Sequence, residues 1–235
     1  MNKEEQRLLS MLEENKISDT DYQMLIKALN KKSFCTLIES SVLINPFQKI
    51  AGFKALLMGL VLMIIMSLVG VYANVFYDGS FGYVIPVGIK THVKPNFLLL
   101  LYQNMAAVVL VSTLFLASAL FFRQKGIRVI DFFGTVALAR YPIFICLLST
   151  MVHQLLKPEL FTQDFSQGYE LHFDLINTLS TLLFLACFIW QIVTYFFALK
   201  ESSGFEDKRL WSCFIVCMLA AESLAMICTR FPLFV

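Results

Sequence analysis

Five apolar runs, each close to the length that crosses a bilayer, dictate what this chain can fold into. They cover about residues 53–76, 97–122, 131–153, 175–199 and 210–229. A hydrocarbon core about 30 Å thick needs about 20 helical residues. In that solvent every backbone N–H and C=O must find an internal partner, so runs of this length are read as helices. Composition agrees: 58% of the 235 residues are hydrophobic and 15% are charged, against about 25% charged in soluble domains. The predicted fold class is all-α. It is a polytopic bundle of five transmembrane helices over 53–235, preceded by a small N-terminal helical hairpin.

Loop charge orients the bundle. The segment through Lys54 holds eight Lys and Arg residues, the second-to-third loop holds Arg123, Lys125 and Arg128, and the fourth-to-fifth loop holds Lys200, Lys208 and Arg209. The opposite side holds Lys90, Lys94, Lys157 and Arg230. The positive-inside rule puts the N-terminus in the cytoplasm and the C-terminus outside. The first 30 residues are polar, so the first span is expected to direct insertion itself. No basic run tracks nucleic acid.

Residues 1–32 read as a separate cytosolic unit. Ser18 and Asp21 stand at capping-box spacing before Tyr22, Leu25, Ile26 and Leu29, which share one helical face. The hairpin is either an ordinary cytosolic element or a handle for a partner protein or for self-association. Residues 33–52 mix Phe and Leu with Ser, Glu and Lys, and Asn45-Pro46 breaks any helix there. That segment reads as interfacial, lying on the inner leaflet. The loop 77–96 is rich in Gly, Pro and Tyr, and is expected to be external, with its aromatic residues in an interfacial belt.

No catalytic motif is present. There is no His-Glu-x-x-His, no Gly-x-Ser-x-Gly and no phosphate-binding glycine loop. Six cysteines include no Cys-x-x-Cys pair, and read as free thiols that behave as small hydrophobes. His153, Glu170, His172 and Asp174 lie toward the outer surface, and the alternation of the last three would put them on one side of a strand. A metal site is one reading of them. A solvated loop is the plainer one, and no cofactor is expected.

The membrane interior carries more information. Arginine at mid-bilayer costs about 2.5–3.5 kcal/mol on insertion scales, so it needs a partner or a role. Arg140 lies about 13 Å into span three, Glu222 about 18 Å into span five and Gln191 about 12 Å from the cytosolic end of span four. Asn104 in span two lies somewhat farther out. These four form an expected midplane layer. In the structural reading Arg140 pairs with Glu222 and Gln191 adds a hydrogen bond. Two alternatives are a site for a proton, an ion or a lipid headgroup, and snorkelling of Arg140 to the cytoplasm. Asp131 reads as a helix start that favours the dipole. Gly134 reads as a point of close helix approach. Pro142 frees the Leu138 carbonyl and bends the span.

Three stretches carry a resemblance: INPFQKI before span one, Asp131-Phe132-Phe133-Gly134 opening span three, and Ala139-Arg140-Tyr141-Pro142 within it. With five spans and a cytosolic N-terminus, the chain resembles the bacterial branch of the Yip family of Rab-interacting membrane proteins. Arg140 stands where that family carries a small residue before the tyrosine. Residues 1–32 resemble the two-helix modules called SHOCT-like domains. The resemblance implies a non-catalytic scaffold in a bacterial inner membrane that organises the membrane or binds a partner protein or lipid. The alternative is a small transporter or channel component that uses the midplane layer.

Overall fold

The structure, a computed structural model, describes residues 9–12, 14, 16–30, 41–84, 93–124, 126–156 and 175–234. The chain divides into two units, Met1–Asn45 and Pro46–Val235. In the first unit, residues 9–12 are helical and α1 spans Asp19–Asn30. Ser18 caps α1 reciprocally with Asp21. The Asp21 N–H donates to Ser18 Oγ at 3.1 Å, and the Ser18 N–H donates to Asp21 Oδ2 at 3.4 Å. Two donors that the helix leaves orphaned are thereby satisfied.

The second unit opens on a 3-10 turn, Pro46–Gln48, with Pro46 and Phe47 buried. The helices α2 (Gly52–Tyr72), α3 (Phe97–Phe121), α4 (Val129–Leu138), α5 (Tyr141–Leu156), α6 (Leu175–Ser203) and α7 (Asp207–Phe234) follow. Five spans are long and apolar enough to cross a membrane, with α4 and α5 together forming the third, Val129–Leu156. The chain is an integral membrane protein with an all-α polytopic bundle. Leu57, Val61, Ile64 and Leu68 on α2, and Leu219, Ile227 and Phe231 on α7, are exposed, as lipid-facing side chains must be.

The first span stops four residues before its expected end, and the cause is local. Asn74 sits at φ 47°, a left-handed conformation that asparagine tolerates. The Asn74 N–H donates to the Val71 carbonyl and the Val75 N–H to the Gly70 carbonyl, both at 3.2 Å. This is the Schellman pattern of a helix C-terminus, and it turns the chain sharply out of α2.

The turn sends the chain into a short antiparallel hairpin, β1 (Phe76–Asp78) and β2 (Gly82–Val84). Phe76 pairs with Val84, Tyr77 with Tyr83 and Asp78 with Gly82. Here the expectation of an interfacial aromatic belt is corrected for residues 76–84. Phe76 and Tyr77 are 0% and 1% exposed. They pack with Met66, Leu100, Ile143, Leu147 and Leu233 in one core cluster. Burial of these large apolar surfaces and satisfaction of the hairpin backbone hold it among the spans rather than at an aromatic belt.

Glycine lets α2 and α4 meet closely. A Cβ on Gly59 would sit 2.8 Å from the Ala137 carbonyl carbon and the Leu138 nitrogen, and one on Gly134 would sit 2.8 Å from the Gly52 oxygen and the Leu56 nitrogen. Backbone cannot yield as a side chain can, so small residues are required at both points.

Candidate functional site

The hairpin enters the bundle from the end at which α2 finishes, and each of the five spans holds it. The Tyr77 hydroxyl donates to the Met66 carbonyl of α2 at 2.8 Å. Met66 lies six residues before the end of α2, about 9 Å down the helix. The Tyr77 N–H donates to Gln103 Oε1 of α3 at 3.1 Å, and Gln103 Nε2 donates to the Thr229 carbonyl of α7 at 2.8 Å. The Gly79 N–H donates to Thr229 Oγ1 at 3.1 Å. From the third span, Thr150 Oγ1 and Cys146 Sγ lie 2.6 and 3.0 Å from the Tyr83 hydroxyl. From α6, Phe184 packs edge-on to Tyr83, and Phe188 and Tyr195 pack against Phe81. Irregular backbone at membrane depth persists only when protein satisfies it, and here side chains from several spans do so.

The tip residue is Ser80. Its N–H donates to Glu222 Oε2 at 2.9 Å, and its hydroxyl donates to the same oxygen. Its carbonyl accepts from Arg140 Nη1 at 3.3 Å and from the Tyr195 hydroxyl at 3.1 Å. Arg140 Nη1 also lies 3.5 Å from the Tyr195 oxygen, and its Cζ stands 5.7 Å from the centre of the Tyr77 ring. A carboxylate thus takes the donors of Ser80 while a guanidinium takes its acceptor. Both contacts are charge-assisted. Glu222 lies twelve residues before Phe234, the end of α7, or about 18 Å along that helix. Arg140, Ser80 and Tyr195 are fully buried, and Glu222 is half-buried.

Arg140 occupies this place because the third span breaks there. Residues 139 and 140 form the turn between α4 and α5. Pro142 falls in the first turn of α5, where its missing N–H costs little. The carbonyl that a neighbouring span supports is that of Ala139, which accepts from Thr194 Oγ1 of α6 at 3.1 Å. Pro142 by itself predicts the Leu138 carbonyl, one residue earlier. Tyr141 packs edge-on against Trp190, with ring centres 5.3 Å apart.

Several expected contacts are corrected. Among the described residues Arg140 and Glu222 form no direct ion pair, whereas Arg230 pairs with Asp78 and Lys16 with Glu14. Ser80 separates them because its donors and acceptor satisfy both charges at once. Gln191 is fully buried on α6, but its amide atoms make no hydrogen bond to either charge. Tyr195, one turn further on, faces the tip and takes that role. Arg140 does not snorkel, since it is 0% exposed. Asn104 joins α3 to α2, with Nδ2 donating to Ser67 Oγ at 3.2 Å.

Asp131 lies in the first turn of α4. Its Oδ1 is 3.4 Å from where a Cβ on Gly52 would be, beside the N-terminus of α2 as well as that of α4. His153 sits near the end of α5, while Glu170, His172 and Asp174 lie outside the described residues. Among the described residues no three His, Cys, Asp or Glu side chains come together as a metal set.

Ser80, Gln103, Tyr195, Thr194 and Thr229 escaped the sequence reading. The signal was present: FYDGSFGYV sets two short aromatic-rich runs about a three-residue loop that contains glycine, which is a hairpin signature. A comparison of the chain with family models, curated proteins and solved structures found no match.

Proposed function

We propose that this chain is a non-catalytic membrane scaffold of the Yip type. In this reading the five-span unit is a rigid frame, and residues 1–32 are a cytosolic handle for a partner protein. The membrane would be a bacterial inner membrane with the N-terminus inside. The observation that carries the scaffold reading is that the polar layer closes on the chain's own hairpin. Arg140, Gln103, Tyr195 and Thr229 are fully buried and spend hydrogen bonds on residues 77–80 or on each other. A transport pathway would leave such groups facing water.

The stretch that opens the third span packs on the start of the first. Asp131 and Gly134 lie against Gly52, two residues past INPFQKI.

Cysteine accessibility tests the reading. Asn104→Cys and Gln191→Cys, each in a chain stripped of its native cysteines, should resist a membrane-impermeant thiol reagent applied from either side. Labelling at either position would indicate a water-filled path and favour the transporter alternative.

A further inference from the structure

We propose that Glu222 is a proton-binding site that controls the re-entrant hairpin: ionised, it latches Ser80, and protonated, it lets the tip go. Three observations carry this. First, both donors of Ser80, the N–H and the hydroxyl, converge on one oxygen, Glu222 Oε2. A carboxylate is an acceptor only, while a protonated acid carries a hydrogen of its own and loses the charge that strengthens both bonds.

Second, the other oxygen, Oε1, packs against Gly79 so closely that a Cβ there would overlap it. Gly79 also adopts φ 67°, a conformation that favours glycine. The tip is therefore shaped around the carboxylate.

Third, Glu222 is the least enclosed member of the arrangement. It is half-buried on α7, whereas Ser80, Arg140 and Tyr195 are fully buried. A proton adds to one carboxylate oxygen, and no other covalent bond changes. It removes the negative charge that faces Arg140 across Ser80, and so leaves the guanidinium buried without a counter-charge.

Among the described residues, the charged and titratable groups around the tip are Arg140 from the α4–α5 break, Tyr195 from α6, Tyr77, Asp78 and Tyr83 from the hairpin, and Arg230 from α7. The α2 and α3 helices present Ser67, Gln103 and Asn104, which do not titrate. Asp78 is the other carboxylate, and it is committed to a two-bond fork with Arg230 at 2.7 Å for each contact.

Gly82 supplies the reporter position, since a Cβ there meets nothing within 4 Å. Gly82→Cys is placed in the full chain lacking native cysteines, in lipid nanodiscs. Thiol labelling is followed from about pH 8 to about pH 4. Rates are read as a ratio to those of the same chain with Glu222→Gln, which cancels the pH dependence of the reagent.

At the alkaline end the Glu222→Gln chain should label at least about tenfold faster, the loss expected for a charge-assisted hydrogen bond. The ratio should rise toward one as pH drops. Equal rates at every pH would overturn the proposal. So would a pH-dependent hairpin in the Glu222→Gln chain, which would assign the effect to Asp78. Should Glu222→Gln fail to fold, Ser80→Ala carries the test, because it removes only the hydroxyl donor. It should raise the alkaline labelling rate several-fold, and an unchanged rate would overturn the latch.

Discussion

Arg140 and Glu222 face one another across a single residue, Ser80, and neither touches the other. The guanidinium holds the Ser80 carbonyl at 3.3 Å and the carboxylate holds the Ser80 N–H at 2.9 Å. Two charges that are costly at membrane depth are thereby spent on backbone groups that are also costly there. The third span, the fifth span and the hairpin become one interlocked element, and several measurements follow from that geometry.

Tyr195 is the second donor to the Ser80 carbonyl. Tyr195→Phe keeps the ring that packs on Phe81 and removes only the hydroxyl. It should cost about 0.5–1.5 kcal/mol, the net worth of one hydrogen bond, because Arg140 still holds the carbonyl. Chemical denaturation in mixed micelles measures this. Thr194→Val should cost about 1 kcal/mol through the Ala139 carbonyl, and no cost for either would show that neither bond matters.

The close contact of α2 and α4 predicts a contrast among glycines. Gly59→Ala and Gly134→Ala each drive a methyl group against backbone 2.8 Å away, and should cost about 1–3 kcal/mol as overpacking does. Gly82→Ala meets open space and has no left-handed φ. It should change stability by less than about 0.5 kcal/mol. Melting temperatures of the three purified variants rank them directly.

The Asp78–Arg230 fork sits where Arg230 is partly exposed, with side-chain exposures of 46% for Arg230 and 12% for Asp78. Its contribution is therefore that of a screened surface pair, about 0.2–1 kcal/mol. Arg230→Lys should lose most of it, because a single ammonium cannot reproduce the planar fork. The difference between parent and variant should shrink as salt is raised to about 1 M, where screening acts within about 3 Å. A salt-independent difference would place the pair in a drier setting than this geometry gives it.

The five spans were legible because the bilayer imposes a length and an apolar requirement that short-range sequence displays without tertiary knowledge. The start of α3 at Phe97 matched to the residue, and its Asn96 cap accepts from the Leu99 N–H at 3.0 Å. The interruption at Arg140 and Pro142 was visible too, but its consequence was not. Sequence shows a bend and a charge, and cannot show that the break turns the guanidinium toward a loop sixty residues earlier.

The hairpin was missed because YDGSFGY scores as polar and turn-rich, the composition of a wet loop. Its burial depends on partners spread over all five spans, such as Gln103, Glu222 and Thr229. Each looks like an isolated polar residue in its own span. The charges at 140 and 222 were found by their rarity, and their mutual geometry was not, because depth along two helices does not reveal what lies between them.

The charge swap tests the central claim most directly. With Arg140→Glu, Glu222→Arg and the double variant purified alongside the parent, melting temperature is the readout. If Ser80 relays the two charges, the double variant sets a carboxylate against the Ser80 carbonyl and a guanidinium against its N–H. It should then melt no higher than the less stable single variant. Recovery of half or more of the lost melting temperature would mean that Arg140 and Glu222 interact with each other directly, and would contradict the relay through Ser80.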